Sequence, residues 1–239
     1  MIDASDDEAT AGLVPIEGVI FDFHSTLVDG GDAARWLREA WAHTGRAGGP
    51  GDPGALGHLT EADVVAYLDR IWENARELDA HSRRDTDPAE HRRVFEAAMA
   101  NLGLDDRGVV DALYETMLSR WNPYEDTLPV LRALRRRSIR VVVLSNVGRD
   151  LAQVLERTGI APLVDGVVLS YQVHHVKPEP GIFATALELL GVPAERVLMV
   201  GDAWQDDGGA AALGIRTLIL PRTRGPRHGL GLVLRLLDG

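Results

Sequence analysis

The stretch Gly18-Val19-Ile20-Phe21-Asp22-Phe23-His24-Ser25-Thr26-Leu27 decides the fold. Its apolar run, Val19-Ile20-Phe21, is flanked by Gly18 and by the polar Asp22. A run that short is no helix, but it suits a strand buried on both faces of a sheet. Four more runs read the same way: Val141–Leu144, Val167–Leu169, Val197–Val200 and Thr217–Leu220. Helical segments separate them, among them Asp150–Arg157, Ile182–Leu190 and Gly209–Leu213. Gly159, Gly191 and Gly214 stand where a C-terminal glycine stops a helix. Strands alternating with helices from about residue 139 onward build βαβ units, so the expected fold is α/β, a Rossmann-like parallel sheet.

From 32 to 127 the pattern changes. No comparable apolar strand occurs there, and apolar residues recur at helical spacing three times: Val64 to Leu78, Val94 to Leu102, and Val110 to Trp121. Thr60 with Asp63, and Asp87-Pro88 with Glu90, supply N-terminal caps for the first two. Trp72, Phe95 and Tyr114 read as the core of this unit. The six glycines and two prolines of residues 45–58 read as a flexible connector. The expected organisation is a disordered acidic tail over 1–14, a core made of 15–31 and 128–239, and a helical module inserted at 32–127. The apolar segment Leu230–Leu237 is expected to dock on the body or on a partner.

Composition narrows the function classes. At 239 residues the chain has ample core to fold without staples. The absence of cysteine excludes disulfides, thiolate metal sites and a cysteine nucleophile. With 25 basic against 36 acidic side chains, the net charge of -11 argues against a surface that wraps nucleic acid. No run is long and apolar enough to span a membrane, and Met1 to Gly12 holds four acids and no base, unlike a signal or transit peptide. The expectation is a soluble, cytoplasmic monomer or homodimer that binds neither nucleic acid nor membrane. Of the 25 basic residues, 24 are arginine, and Lys177 is the only lysine.

In an open parallel sheet, ligands bind beyond the carboxyl ends of the strands. Asp22, His24 and Thr26 follow the first strand, and Ser145-Asn146 ends the second. Lys177 stands before Pro178, and Asp202, Asp206 and Asp207 follow Val200-Gly201. A carboxylate can act as a nucleophile and form an acyl phosphate. Its attack needs the phosphoryl oxygens neutralised, which a lysine and a magnesium ion provide. Magnesium prefers a few carboxylates plus waters and substrate oxygens, matching Asp22 and Asp202. Ser145 can donate a hydrogen bond to a nonbridging oxygen.

These residues resemble the motifs of the haloacid dehalogenase superfamily. Asp22-Phe23-His24-Ser25-Thr26 is similar to its first motif, Asp-x-Asp-x-Thr, and Val141-Val142-Val143-Leu144-Ser145 to its second. Lys177-Pro178-Glu179-Pro180 resembles the third, and Gly201-Asp202 with Asp207 the fourth. All four stand in order over residues 16–221, and the helical insertion lies where the family places its small helical cap. The gap between the second and third motifs is too short for the alternative cap. The resemblance implies a phosphatase-type hydrolase of a small phosphorylated metabolite. In it Asp22 is the nucleophile, and Ser145 and Lys177 hold the phosphoryl group, with Thr26 and Asn146 on the substrate side. It also implies Mg2+ held by Asp22, Asp202 and the main-chain carbonyl of His24. Asp207 would support the metal's waters, and Asp206 would be a surface charge. An ammonium at the family's lysine position makes the lone lysine of the chain meaningful, because a planar guanidinium fits a small phosphoryl pocket less well.

His24 departs from the family's second aspartate, the acid/base of its phosphatases. A histidine near its ordinary pKa of about 6.5 can give and take a proton. A neighbouring magnesium ion would lower that pKa. The readings left open are a phosphatase using His24, a slower one without good acid catalysis, a scaffold turned to another reaction, and a His24 that only packs against the cap. A weakly active ligand- or partner-binding protein and a metal-independent 2-haloacid dehalogenase are the alternatives. The acidic pair Asp202 and Asp207 favours the metal-dependent route, and a cap without lysine closes the Schiff-base route to phosphonate cleavage. Further candidates are Arg149, or Arg35 with Trp36, as anion readers, Trp204 as a substrate or cap contact, and one of His174-His175 lining the site from a strand-like segment. Arg135-Arg136-Arg137 reads as the exposed end of a helix.

Overall fold

In the computed structural model, which describes residues 14–238, the chain opens with β1 (Gly18–Phe21) and β2 (Val28–Asp29). Five helices follow: α1 (Ala33–His43), α2 (Glu61–Leu68), α3 (Ile71–Leu78), α4 (Pro88–Leu102) and α5 (Arg107–Thr116). The chain returns through β3 (Asn122–Pro123), which pairs antiparallel with β2. Alternation then sets in: α6 (Thr127–Arg136), β4 (Arg140–Ser145), α7 (Ala152–Arg157), β5 (Gly166–Leu169), α8 (Ser170–Val173) and α9 (Pro180–Leu190). β6 (Val197–Gly201), α10 (Trp204–Asp207), β7 (Arg216–Ile219) and α11 (Gly231–Leu237) complete it. The acidic tail expected over 1–14 falls almost wholly outside the described residues.

The sheet has the order β5-β4-β1-β6-β7, with every neighbouring pair parallel. β1 is its centre, and the chain winds outward from it in both directions, which makes the β1/β4/β6 junction a topological switch point. Phe21 is level with both Val143 and Val200, and the Asp22 amide donates to the Val200 carbonyl at 2.9 Å. This register brings Asp22, Ser145 and Asp202 to one edge. Alternation supplies the layers. Val141 and Val143 join Phe21 against α6, α7 and α11, while Val142 and Leu144 join Ile20 against α9. Leu230 and Val233 are buried in the first of these clusters, so the apolar tail segment docks on the body.

The insertion has its own core of Trp36, Phe95, Met99 and Leu113, with the Trp36 indole N–H donating to the Leu113 carbonyl at 3.0 Å. Three expectations change here. The periodic stretch Val64 to Leu78 is two helices, broken at Asp69-Arg70, because Val64 and Leu68 face α1 while Ile71 and Ala75 turn toward α4. Residues 45–58 fold as a series of turns pinned by Leu56, which is buried in the insertion's core. The segment Gly208–Leu213 is a 3-10 turn. The β2–β3 ribbon at the base of the insertion carried no signal, since two residues per strand show no period.

Candidate active site

The floor of the site forms at the strand ends, around Lys177. Its ammonium donates to Asp22 Oδ1 and to Asp207 Oδ1, each at 2.6 Å, and all three side chains are buried. Asn146 fixes the Lys177 main chain from both sides. Its Oδ1 accepts from the Lys177 amide at 2.7 Å, and its Nδ2 donates to the Lys177 carbonyl at 3.0 Å. Burial alone favours the neutral amine, but Asp22 and Asp207 outweigh it and hold the Lys177 pKa above its ordinary value. Burial raises the Asp22 carboxyl, and Lys177 opposes that rise while Asp202 adds to it. The glycine of the Gly201-Asp202 pair has a steric reason: a Cβ there would collide with the Asp207 carboxylate, which crosses over it to accept from the Ala203 amide at 2.9 Å.

The roof comes from the insertion. Trp72, Arg76, Arg84, Asp85 and His91 line the same cavity, of about 150 Å³, opposite Asp22 and Ser145. The segment 83–85 is pressed onto the core. A Cβ on Gly148 would overlap the Arg84 carbonyl and come 2.8 Å from His91 Cβ, and the Ser170 hydroxyl donates to the Asp85 carbonyl. Arg84 is buried and lies 3.1 Å from Asp85 and 3.7 Å from Asp79. Burial, assisted by Asp79 and Asp206 and opposed by Arg84, pushes the Asp85 carboxyl up to about 6. His91 is pushed down to about 3 by burial and by Arg149 and Arg84, so it is neutral near pH 7.

The sequence candidates divide. Asp22, His24, Ser145, Asn146, Lys177, Asp202 and Asp207 all line the cavity. Thr26 does not: it is fully buried behind the site, its hydroxyl donating to Asp202 at 3.5 Å. Asn146 spends its amide on the Lys177 backbone, so it positions the lysine. Asp206 is no surface charge, for it is half-buried in the cavity wall, 3.8 Å from Arg76. His24 packs against Trp121 with ring centroids 4.6 Å apart and planes tilted by 42°, and its Nε2 is buried beside Gly30 without a hydrogen bond among the described residues. Burial, then Arg120 and Arg222, pushes His24 down to about 3, which leaves a neutral ring near pH 7 and no imidazolium acid. Trp72 packs against the insertion's core as expected and also lines the cavity. Trp204 is exposed, Arg35 pairs with Glu39 on the surface, and His174 and His175 are exposed on a helix end and the loop after it, with His175 held by Glu179 at 3.0 Å.

Asp22 Oδ2 is buried with no hydrogen-bond partner, and Asp202 is close enough for its charge to raise Asp22. Those two carboxylates fit a hard cation that keeps several waters. Asp207 does not fit, since one oxygen serves Lys177 and the other the Ala203 amide. No group of three or more acidic or imidazole side chains converges as a metal cluster among the described residues. Asp202 is met by the Arg222 guanidinium, a neighbour that sequence reading missed because it lies in an arginine-rich loop beyond the fourth motif.

A parallel sheet wound from a central strand, with a carboxylate–lysine–carboxylate floor at its switch point and a helical insertion over it, defines a Rossmann-like α/β protein with a buried charged site at its strand ends. The family model for haloacid dehalogenase-like hydrolases matches residues 16–214, and the chain belongs to that family. Among curated relatives, haloacid dehalogenase-like hydrolase domain-containing protein 3 of Danio rerio is 30% identical over 57% of this chain and 61% of its own length. A glyceraldehyde 3-phosphate phosphatase of Methanothermobacter thermautotrophicus is 26% identical over 80% of this chain and 79% of its own. The chain matches about half to three-fifths of the length of the first such relatives. Two solved structures share the fold. A phosphatase from Thermococcus onnurineus has TM-score 0.62 at 20% identity, covering 94% of this chain and 99% of its own. An L-2-haloacid dehalogenase from Xanthobacter autotrophicus has TM-score 0.63 at 24% identity, covering 94% and 83%. No helix among the described residues is long and apolar enough to cross a membrane.

Proposed function

We propose that the protein is a phosphatase of a small phosphorylated metabolite, working through an aspartyl phosphate on Asp22 with Mg2+ as its metal. One observation carries the reading. Lys177 binds one oxygen of Asp22 at 2.6 Å and leaves the other, Oδ2, buried and unpartnered where a phosphorus atom can be met. In the first step Oδ2 bonds to phosphorus while the bond to the leaving oxygen breaks, and that oxygen takes a proton from solvent. Lys177 and Ser145 hold the phosphoryl oxygens through this charge transfer. Water then attacks the acyl phosphate, phosphate departs, and the Asp22 carboxylate returns. Asp22, Asp202 and the His24 carbonyl would hold the Mg2+, whose contribution would be to neutralise phosphoryl charge. His24, neutral and packed on Trp121, is made a weak base by the same burial that removes its positive charge, so the proton transfers of both steps fall to solvent. The phosphatases among its relatives support this substrate class.

A second reading has one observation behind it. Arg222 pairs with Asp202, so a protein cation already meets the carboxylate that a metal would otherwise take. Metal-independent displacement of halide from a 2-haloacid by Asp22 uses the same nucleophile. Both routes require Asp22, and assays with and without Mg2+ separate them. Magnesium-dependent release of phosphate from a small aryl phosphate is expected, and it should fall by at least about a thousandfold in Asp22→Asn. Halide release from 2-chloropropionate without metal, and no phosphate release, would establish the second reading instead. A chain that turns over neither is a binding protein.

A further inference from the structure

Five cations line the cavity, and four of them are already neutralised. Lys177 has Asp22 and Asp207, Arg84 has Asp85 and Asp79, Arg76 has Asp206, and Arg222 has Asp202. Arg149 alone has no carboxylate within 4.0 Å among the described residues. Two neutral contacts hold it. Its Nη1 donates to the Tyr114 carbonyl at 2.5 Å, and the guanidinium lies over the Tyr114 ring, 4.4 Å from the centroid. Its other N–H groups are neither bonded nor buried. Arg149 follows Ser145 by four residues and reaches α5 of the insertion, so it spans floor and roof. His91 stands beside it, fastened through Nδ1 to the Tyr114 hydroxyl at 3.1 Å.

We propose that Arg149, with His91 beside it, binds a second anionic group of the substrate, so that the substrate is a phosphate ester whose carbon chain also carries a carboxylate or a second phosphate. The inference rests on the phosphatase reading for the phosphoryl end. A guanidinium held by a carbonyl and a ring keeps its full charge and the free edge of its fork, which matches carboxylate or phosphate oxygens bidentately. The half-buried wall strengthens that attraction over its value in open water. The other four cations are held in internal pairs, which makes Arg149 the natural receiver for charge that the floor does not take up. Arg35, the other anion reader suggested by sequence, is on the surface with Glu39 and does not line the cavity.

The test is a selectivity ratio. Three short substrates differ only at the far end: an alkyl phosphate with a neutral terminus, a phosphorylated hydroxy acid, and a bisphosphate. At least one charged substrate should exceed the neutral one in kcat/KM by roughly 10- to 100-fold, the scale of a charge-assisted contact. Which charged arm leads identifies the group as carboxylate or phosphate. Arg149→Gln should bring the ratio to about one, mainly through KM, and Arg149→Lys should leave an intermediate ratio because an ammonium offers no fork. A wild type without preference, or a ratio unchanged in both variants, overturns the proposal. If neither these esters nor an aryl phosphate is hydrolysed, the phosphatase reading falls separately. Calorimetry with 3-phosphonopropionate then decides the subsite, with about tenfold weaker binding to either variant expected and equal affinities overturning it.

Discussion

The floor and the roof of this cavity are built on different terms. On the floor, each charge answers another: Lys177 lies between Asp22 and Asp207, and Asp202 takes Arg222. Asp22 and Asp202 follow strand ends directly, and Asn146, Gly201 and Ala203 lock Lys177 and Asp207 against them. The roof is a short 3-10 turn and helix faces laid on the core, with Asp85 raised to about 6, and Arg149 reaches it from the loop after β4 without a carboxylate partner among the described residues. A matched, strand-borne cluster suits one chemical step performed on every substrate. A loosely matched cluster on an inserted module suits selection, because it can change without disturbing the nucleophile.

Removing the central cation should break the floor with the largest effect. Lys177→Met keeps the length of the side chain and leaves Asp22 and Asp207 buried without their cation. Breaking a buried pair in this way costs about 3–5 kcal/mol, which urea denaturation reads directly. Turnover of an aryl phosphate should fall at least about a thousandfold, on the scale of losing a charge-stabilising donor. Lys177→Arg should recover part of the stability and little of the rate, because the fork cannot meet Asp22 and Asp207 as a point charge does. Retention of rate within tenfold in Lys177→Met would sink the floor as described.

The roof should answer to the joint that seats it. Gly148 is where the insertion meets the loop after β4, and a methyl group there overlaps the Arg84 carbonyl. Gly148→Ala should cost about 1–3 kcal/mol, the usual range for overpacking, and lower turnover by about tenfold as Arg84 and His91 shift. Selectivity among substrates should change more than the rate on an aryl phosphate. Equal losses across all substrates would mean that the joint supports the whole fold and not the roof in particular.

Sequence pattern reached the floor and largely missed the roof, and the reason is physical. Asp22, Ser145 and Asp202 follow apolar runs, and a buried parallel strand both announces itself as such a run and fixes where its end points. Lys177 follows no strand, but it is the only lysine, and its place beside Pro178 marks it. Arg84 and Asp85 lie in a polar stretch, Ser82-Arg83-Arg84-Asp85-Thr86, that reads as a solvated turn. Their burial depends on docking against Gly148 and Ser170, contacts across 64 and 85 residues that no local period encodes. Helical spacing places Trp72 against the insertion's core, where it packs, but says nothing of the cavity wall it also forms, which depends on how the insertion sits over the strand ends. His24 was visible as a departure, while its packing on Trp121 depended on the β2–β3 ribbon, too short to show a pattern.

The smallest expected effect is a pH dependence confined to the roof. Asp85 has an ordinary pKa of 3.8 and is pushed up to about 6 by burial, with Asp79 and Asp206 adding and Arg84 opposing. Between those values the folded protein holds a proton that the unfolded chain has released, so the folded state binds more protons than the unfolded one. Stability from this group therefore falls as pH rises from about 4 to about 6 and is flat above and below that window. A shift of about two pH units corresponds to on the order of 2–3 kcal/mol. Asp85→Asn removes the titration, while its loss of the Arg84 ion pair is a constant offset across the window. The stability of the variant relative to wild type should thus improve by roughly 2 kcal/mol between pH 4 and pH 7, measured by urea denaturation at each pH. A difference that stays constant would show that Asp85 is ionised throughout. The Arg84–Asp85 pair would then be as fully matched as the pairs of the floor, and Arg149 would be the only unmatched charge lining the cavity among the described residues.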